Sequence, residues 1–220
     1  MSTFLDRERL NFSQQNKIFN PAFAKPVVVL GAGSVGSQLV AMLAKIGLTD
    51  ITVYDGDAIE SHNIPMSAYG NSDLGMFKVL ALKDLVLRQS GVEIKALPRM
   101  YAGEPLRDSV IACVDTMEAR LAAWQAVKDN PLVDIFIDTR TAAELISIFA
   151  VSPCNPDDIA YYEHFSYPTS QAAMLTCGQH GIVYISNMAA GVACANLTNW
   201  WQHGKKKIHF KELIPALEVY

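Results

Sequence analysis

The most pointed chemistry in this sequence lies in three glycines and two acids. Gly31-Ala32-Gly33-Ser34-Val35-Gly36 reads G-x-G-x-x-G, and Asp55 follows about 20 residues past it, the place of an acid that binds ribose hydroxyls. Gly31 permits a tight turn, Gly33 lets the backbone approach a phosphate, and Gly36 lets a helix pack close to a strand. A helix starting at that turn offers free N–H groups and a partial positive charge to an anion. A second acid, Asp115, ends a later apolar run. Two carboxylates at the carboxyl ends of strands suggest a Mg²⁺-nucleotide rather than a bare dinucleotide. Helix capping accounts for Asp115 equally well. The glycine motif by itself leaves NAD, FAD and ATP open. Asn63 and Lys78 stand in and just after the next loop. A lysine in the first turns of a helix is poorly placed for the helix dipole, which leaves room for another group to hold it, although sequence physics alone favours an ordinary exposed lysine.

The elements that must hold these residues follow from hydrophobic periodicity. Val27–Leu30 is an unbroken apolar run, the mark of a strand covered on both faces. Leu39, Val40, Leu43 and Ile46 then recur at helical spacing, with Gly47 as the stop. Ile51–Tyr54 is a second strand, and 58–72 is a loop with Pro65 and Gly70 as breakers. Asp73 is expected to cap a helix over 75–88. Further strands are expected at Val92–Leu97, Ser109–Val114 and Val133–Asp138, with Thr116 capping a helix over 117–128. Leu145–Val151 follows too closely for a helical crossover, so it should run antiparallel to its neighbour. The fold class is therefore α/β, a Rossmann-like mixed sheet, mostly parallel with an antiparallel extension and helices on both faces. Residues 153–176 read as a long loop of the kind that carries function. Val183–Trp201 closes the core as a helix, and the tail from Ile208 holds one more strand. The whole of 1–220 is expected to form a single domain behind a leader, 1–25.

Composition narrows the class. Of the 220 residues, 50% are hydrophobic and 18% charged, which is ordinary for a soluble protein. A net charge of −4 argues against nucleic acid as a partner, and Lys205-Lys206-Lys207, the only basic run, reads as a solvated helix end. The opening MSTFLDRERLNF lacks the apolar core of a signal peptide, and no stretch reaches membrane-spanning length without polar interruption, so a cytoplasmic location is expected. Cys113, Cys154, Cys177 and Cys194 form no C-x-x-C pair. Reduced thiols are the expectation, with no zinc knuckle.

Several blocks, taken in order, resemble the ThiF/MoeB superfamily of adenylating enzymes. GAGSVG is followed by Tyr54-Asp55-Gly56-Asp57, similar to the family's D-x-D, and Asn63 matches its S-N-L-x-R-Q block. Gly75-Met76-Phe77-Lys78 resembles G-x-x-K, and Cys113-Val114-Asp115 with Arg120 resembles C-x-D-N-x-x-x-R. Thr176-Cys177 ahead of Gly181 resembles T-C-x-x-x-G. The resemblance covers roughly 26–201 and implies an enzyme that binds ATP and Mg²⁺ and adenylates the C-terminal Gly-Gly carboxylate of a small ubiquitin-like or sulfur-carrier protein. It implies that Asp55 holds the ribose, with Asp57 beside it at the nucleotide. Asn63 and Lys78 would contact phosphates, and Asp115 would place Mg²⁺. Cys177 would be the thiol for a thioester or sulfur-transfer step, unless it is a small buried hydrophobe. A homodimer across the nucleotide face is implied as well.

The sequence also departs from that pattern. Met66 and Ser67 stand where the family has R-Q, and NFSQQ with Gln14 replaces an arginine-bearing leader. Arg7, Arg9, Arg99 and Arg140 are the candidates for the missing charge. Two alternatives therefore stand beside the enzyme: a non-catalytic, nucleotide-binding scaffold of the same family, and a family member acting on tRNA or a peptide. An NAD oxidoreductase would leave Asn63, Lys78 and Asp115 unexplained.

Overall fold

Seven strands form one sheet in the order β3-β2-β1-β4-β5-β6-β7. The computed structural model describes residues 10–166 and 182–213. The strands are β1 Val27–Leu30, β2 Ile51–Tyr54, β3 Lys95–Leu97, β4 Asp108–Ala112, β5 Val133–Ala142, β6 Leu145–Val151 and β7 His209–Leu213. The first five are parallel, and β6 and β7 are added antiparallel. The sheet is thus mixed as expected, because the two residues between β5 and β6 can make only a hairpin.

Alternation along the strands feeds two cores. Val27, Val29, Ile51, Val53, Ile135, Ile137, Ile146 and Ile148 pack against α1 Ser34–Lys45, α2 Lys78–Ser90 and α5 Val183–His203. Leu30, Val110, Phe136 and Phe149 face α3 Met117–Val127 and α4 Pro156–His164 on the other side. Helices therefore cover both faces, which is why the central strand β1 is wholly apolar. No helix among the described residues is long and apolar enough to cross a membrane.

The structure moves several predicted boundaries. α2 begins at Lys78 with Phe77 as its N-cap residue, rather than at Gly75. Asp73 caps a separate 3-10 turn instead, accepting the Gly70 N–H at 2.8 Å. β3 is shorter than Val92–Leu97, and β5 runs four residues past Asp138, to Ala142. The stretch expected to be a loop from Pro153 contains α4, started by Asn155, whose side chain accepts from Asp157 N and Asp158 N. That helix has Pro at its first position and two acids in its first turn, a start signal that the tyrosine-rich, polar composition obscured.

The described part of the leader packs on α1 through only some of its apolar residues, while Ile18 and Phe23 stay exposed. Phe12 and Pro21 lie against Gly47, and Gln15 Nε2 donates to Ile46 O at 2.8 Å. These contacts close the C-terminal end of α1, the end opposite the glycine turn. A concavity lined by Leu10, Phe12, Asn16 and Pro21 lies there too, and it contains none of the residues with candidate chemistry.

Candidate functional site

The glycine turn links β1 to α1, and two close contacts dictate its residues. Gly31 adopts φ +97°, and a Cβ there would lie 2.5 Å from Cys113 O. A Cβ on Gly36 would lie 2.0 Å from Gly31 O. Gly33 is different: a Cβ would meet nothing within 4 Å, so the space beside it is open. The N–H groups of Gly33, Ser34 and Val35 have no protein acceptor among the described residues, whereas Gly33 O already accepts from Ser37 N. Open space above unpaired N–H groups at a helix start suits an anion.

Asp55 directly follows β2 and is 6% exposed. Its carboxylate accepts from Ala32 N at 2.7 Å and from Asp57 N at 2.8 Å. Burial raises its pKa, opposed by those two amides and by the charge of Lys78. The acid read as a ribose ligand is thus also the staple between the glycine turn and the next loop. Each bonded oxygen retains a second lone pair for a ligand hydroxyl.

Lys78 is the first residue of α2, and its side chain is only 12% exposed. Nζ lies 2.7 Å from Asp57 Oδ2, and its backbone N–H donates to Asp57 O at 2.9 Å. A short bridge between Ala58 and Phe77 holds the two segments together. Of the two readings of Lys78, the ordinary exposed lysine is corrected and the held lysine stands: Asp57 supplies the negative charge that offsets the unfavourable helix end. An ammonium has three donors, so Lys78 can hold Asp57 and still offer N–H bonds to a phosphate.

Asn63 lies in the 3-10 turn Ser61–Met66. Its Oδ1 accepts from Glu60 N at 2.9 Å, and its carbonyl accepts from Ser67 Oγ at 2.7 Å. Its amide nitrogen is what remains to offer a ligand. Asp115 lies three residues past β4, exposed, on the same carboxyl edge as Asp55. Among the described residues its carboxylate has no partner, while Thr116 caps α3 by accepting from Ala119 N at 3.2 Å. Capping therefore falls to Thr116, which leaves the carboxylate of Asp115 free among the described residues. β4 leads into Cys113, against which both Gly31 and Gly36 pack, so this exit abuts the glycine turn. The Cys113 thiol is pushed up to about 11 by burial, which makes it inert at neutral pH. Cys177, Thr176, Arg7 and Arg9 lie outside the described residues.

Two of the proposed substitute arginines are engaged elsewhere. Arg99 pairs with Glu104 and lies over the Tyr54 ring, 5.1 Å from its centre. Arg140 Nε donates to Asp138 Oδ2 at 2.7 Å, and Arg120 pairs with the other oxygen. Asp138 is fully buried and also accepts from Tyr162 OH at 2.9 Å. Arg120 reaches on to Val114 O at 2.6 Å, next to Asp115, and to Thr139 O at 3.1 Å. Asp138 carries the same signal as Asp55 and Asp115, an acid after an apolar strand run, but the sequence reading gave it no role. Tyr69 was missed as well. It donates to Ala32 O at 2.6 Å, and nothing in its local spacing marks it.

The donors at this edge fit a nucleotide and Mg²⁺. Open backbone N–H groups and a carboxylate without a partner among the described residues share one edge, and Mg²⁺ is commonly held by one or two carboxylates plus phosphate oxygens.

A family model described as the ThiF family matches residues 8–212. Ubiquitin-like modifier-activating enzyme 5 of Drosophila mojavensis is 27% identical over 128 residues, 49% of this chain and 32% of that protein. The chain thus matches about a third of the length of that relative. Among solved structures, PaaA superposes with a TM-score of 0.69 at 16% identity, over 89% of this chain and 62% of that one. E. coli MccB crystallised with ATP superposes at 0.65 and 14% identity, over 87% of this chain and 60% of that one. These superpositions show a shared fold.

Proposed function

Because the chain belongs to the ThiF family, we propose that it is an ATP-dependent adenylyltransferase acting on the C-terminal carboxylate of a small ubiquitin-like or sulfur-carrier protein. The observation that carries this reading is the tie from the glycine turn through Asp55 and Asp57 to Lys78. That tie supports the reading because it gathers the glycine turn, the Asp55 carboxylate and the Lys78 ammonium at the sheet edge that Asp115 shares. The relatives named as ubiquitin-like modifier-activating enzymes support the substrate class.

Asp55 accepts from the ribose hydroxyls. The N–H groups of Gly33 and Ser34 receive phosphate oxygens, and Asn63 donates its side-chain N–H. A carboxylate oxygen of the tail attacks the α-phosphorus, the bond to the β-phosphate oxygen breaks, and pyrophosphate leaves with the electron pair. Lys78 offsets the charge that builds on that leaving group. Asp115 is the residue assigned to Mg²⁺, which when bound neutralises phosphate charge and orients the displacement. Cys177 is assigned to the following step: its thiolate attacks the acyl carbon, a thioester forms and AMP departs. We assign the whole of 1–220 to one adenylation domain, working in the cytoplasm as a homodimer across the nucleotide face.

ATP–pyrophosphate exchange tests this. The expected result is exchange that requires a Gly-Gly-ended carrier protein and is lost in Asp115→Ala. Exchange that survives in Asp115→Ala overturns the assignment of roles. The engagement of Arg99 and Arg140 favours a second reading, a nucleotide-binding scaffold without turnover. ATP binding with no exchange for any carrier selects it. Exchange supported by a short free peptide would instead move the substrate class to peptides.

A further inference from the structure

Ala32, the residue between the first two glycines of the turn, is gripped from both sides. Its N–H donates to Asp55 Oδ2 at 2.7 Å, and its carbonyl accepts from Tyr69 OH at 2.6 Å. Tyr69 is 5% exposed and Ala32 is fully buried, so this bond is dry. A trans peptide points its C=O and N–H in opposite directions, and the described chain has no cis bond. A carbonyl held inward by Tyr69 therefore turns the Gly33 N–H of the same peptide away from Tyr69, at a residue whose surroundings are open and whose N–H has no acceptor among the described residues.

We propose that Tyr69 is a positioning residue of the phosphate turn, its hydroxyl fixing the Ala32–Gly33 peptide so that the Gly33 N–H faces the nucleotide's phosphates; this rests on the nucleotide reading above. The device reaches further along the loop. Ser67 Oγ binds Asn63 O, and Ala68 N donates to Ser37 Oγ at 3.1 Å in the first turns of α1. One segment, 63–69, thus ties the Asn63 turn to the glycine turn. Burial and the nearby carboxylates of Asp55 and Asp73 push the Tyr69 phenol above its ordinary value of 10, so it stays protonated and donating across the working range.

Tyr69→Phe removes only the hydroxyl. The test is calorimetric binding of ATP with Mg²⁺ and, separately, of adenosine, at a temperature where circular dichroism shows both proteins folded. The expected result is ATP binding weakened by about tenfold, the scale of one lost hydrogen bond, with adenosine binding within about twofold. Only a phosphate-directed role moves that ratio. Ser109→Ala serves as the structural comparison, because it deletes buried bonds to Asp134 and Trp201 at the opposite edge of the sheet. It should lower the melting temperature and leave the ratio unchanged. Equal weakening of ATP and adenosine in Tyr69→Phe, or no weakening, overturns the role of Tyr69 alone. Absence of ATP binding by the unsubstituted protein overturns the nucleotide reading, and the role of Tyr69 with it.

Discussion

Lys78 shows how one residue's neighbours change its meaning. A lysine opening a helix works against the dipole, yet here it is held 2.7 Å from Asp57 and largely covered. Asp57 is about half exposed, so the pair is solvent-screened and contributes little to folding, at most about 1 kcal/mol. Under the proposed function its contribution to exchange is larger. Removing one donor aimed at developing charge costs about 10²–10³ in turnover. Lys78→Met is therefore expected to lower ATP–pyrophosphate exchange by about 10²-fold while shifting the urea midpoint only slightly. A large loss of stability with unchanged exchange would reduce Lys78 to a structural residue. Asp55 is legible in a different way. Its place after β2 makes it the proposed ribose acceptor, but only the folded chain shows that it staples Ala32 to Asp57.

The elements were legible wherever hydrophobic period and cap agreed. β1, α1 and β2 carry apolar runs, helical spacing and a glycine stop in sequence, and they fold where those signals place them. α2 and α4 were less legible for opposite reasons. At α2 the cap-like Asp73 is spent on its own turn, and the bridge from Ala58 to Phe77 holds the chain extended up to Lys78. At α4 the composition reads as loop, but Asn155 caps two N–H groups and Tyr162 packs among Trp124, Phe136 and Phe149. Loss of a side-chain N-cap costs about 1 kcal/mol. Asn155→Ala is expected to destabilise the protein by about that amount in chemical denaturation, and Asn155→Asp to leave it nearly unchanged. Equal loss in both would mean that the helix start rests on Pro156 and packing rather than on the cap.

Across the whole molecule, Asp138 joins the parallel half to the antiparallel extension. It sits in β5 with no exposure and receives Arg120 from α3, Arg140 from its own strand and Tyr162 from α4. Arg140 in turn lies over the Phe149 ring of β6 and donates to Phe165 O at 2.9 Å. Removing one partner of a buried ion pair leaves uncompensated charge and costs about 3–5 kcal/mol. That is a large share of a typical folding stability of about 5–15 kcal/mol. Asp138→Ala is expected to lose about that much, measured by guanidinium denaturation. A loss below about 1 kcal/mol would show that the two arginines find water when their partner is gone.

The sequence by itself determined the strand–turn–helix–strand unit, the antiparallel turn-back after β5 and the family. Each rests on local period, chain length between strands or residue order, all of which are one-dimensional quantities. It also named Asp55, Asp115, Asn63 and Lys78. The tertiary structure alone decided how they are held: Asp57 beneath Lys78, Tyr69 behind Ala32, and Asp138 between two arginines. Apart from Arg140, two positions from Asp138, those pairings join residues distant in the chain, with Tyr69 lying 37 positions from Ala32. No spacing rule marks them, because a buried polar group takes whichever partner the packed core brings within hydrogen-bonding reach.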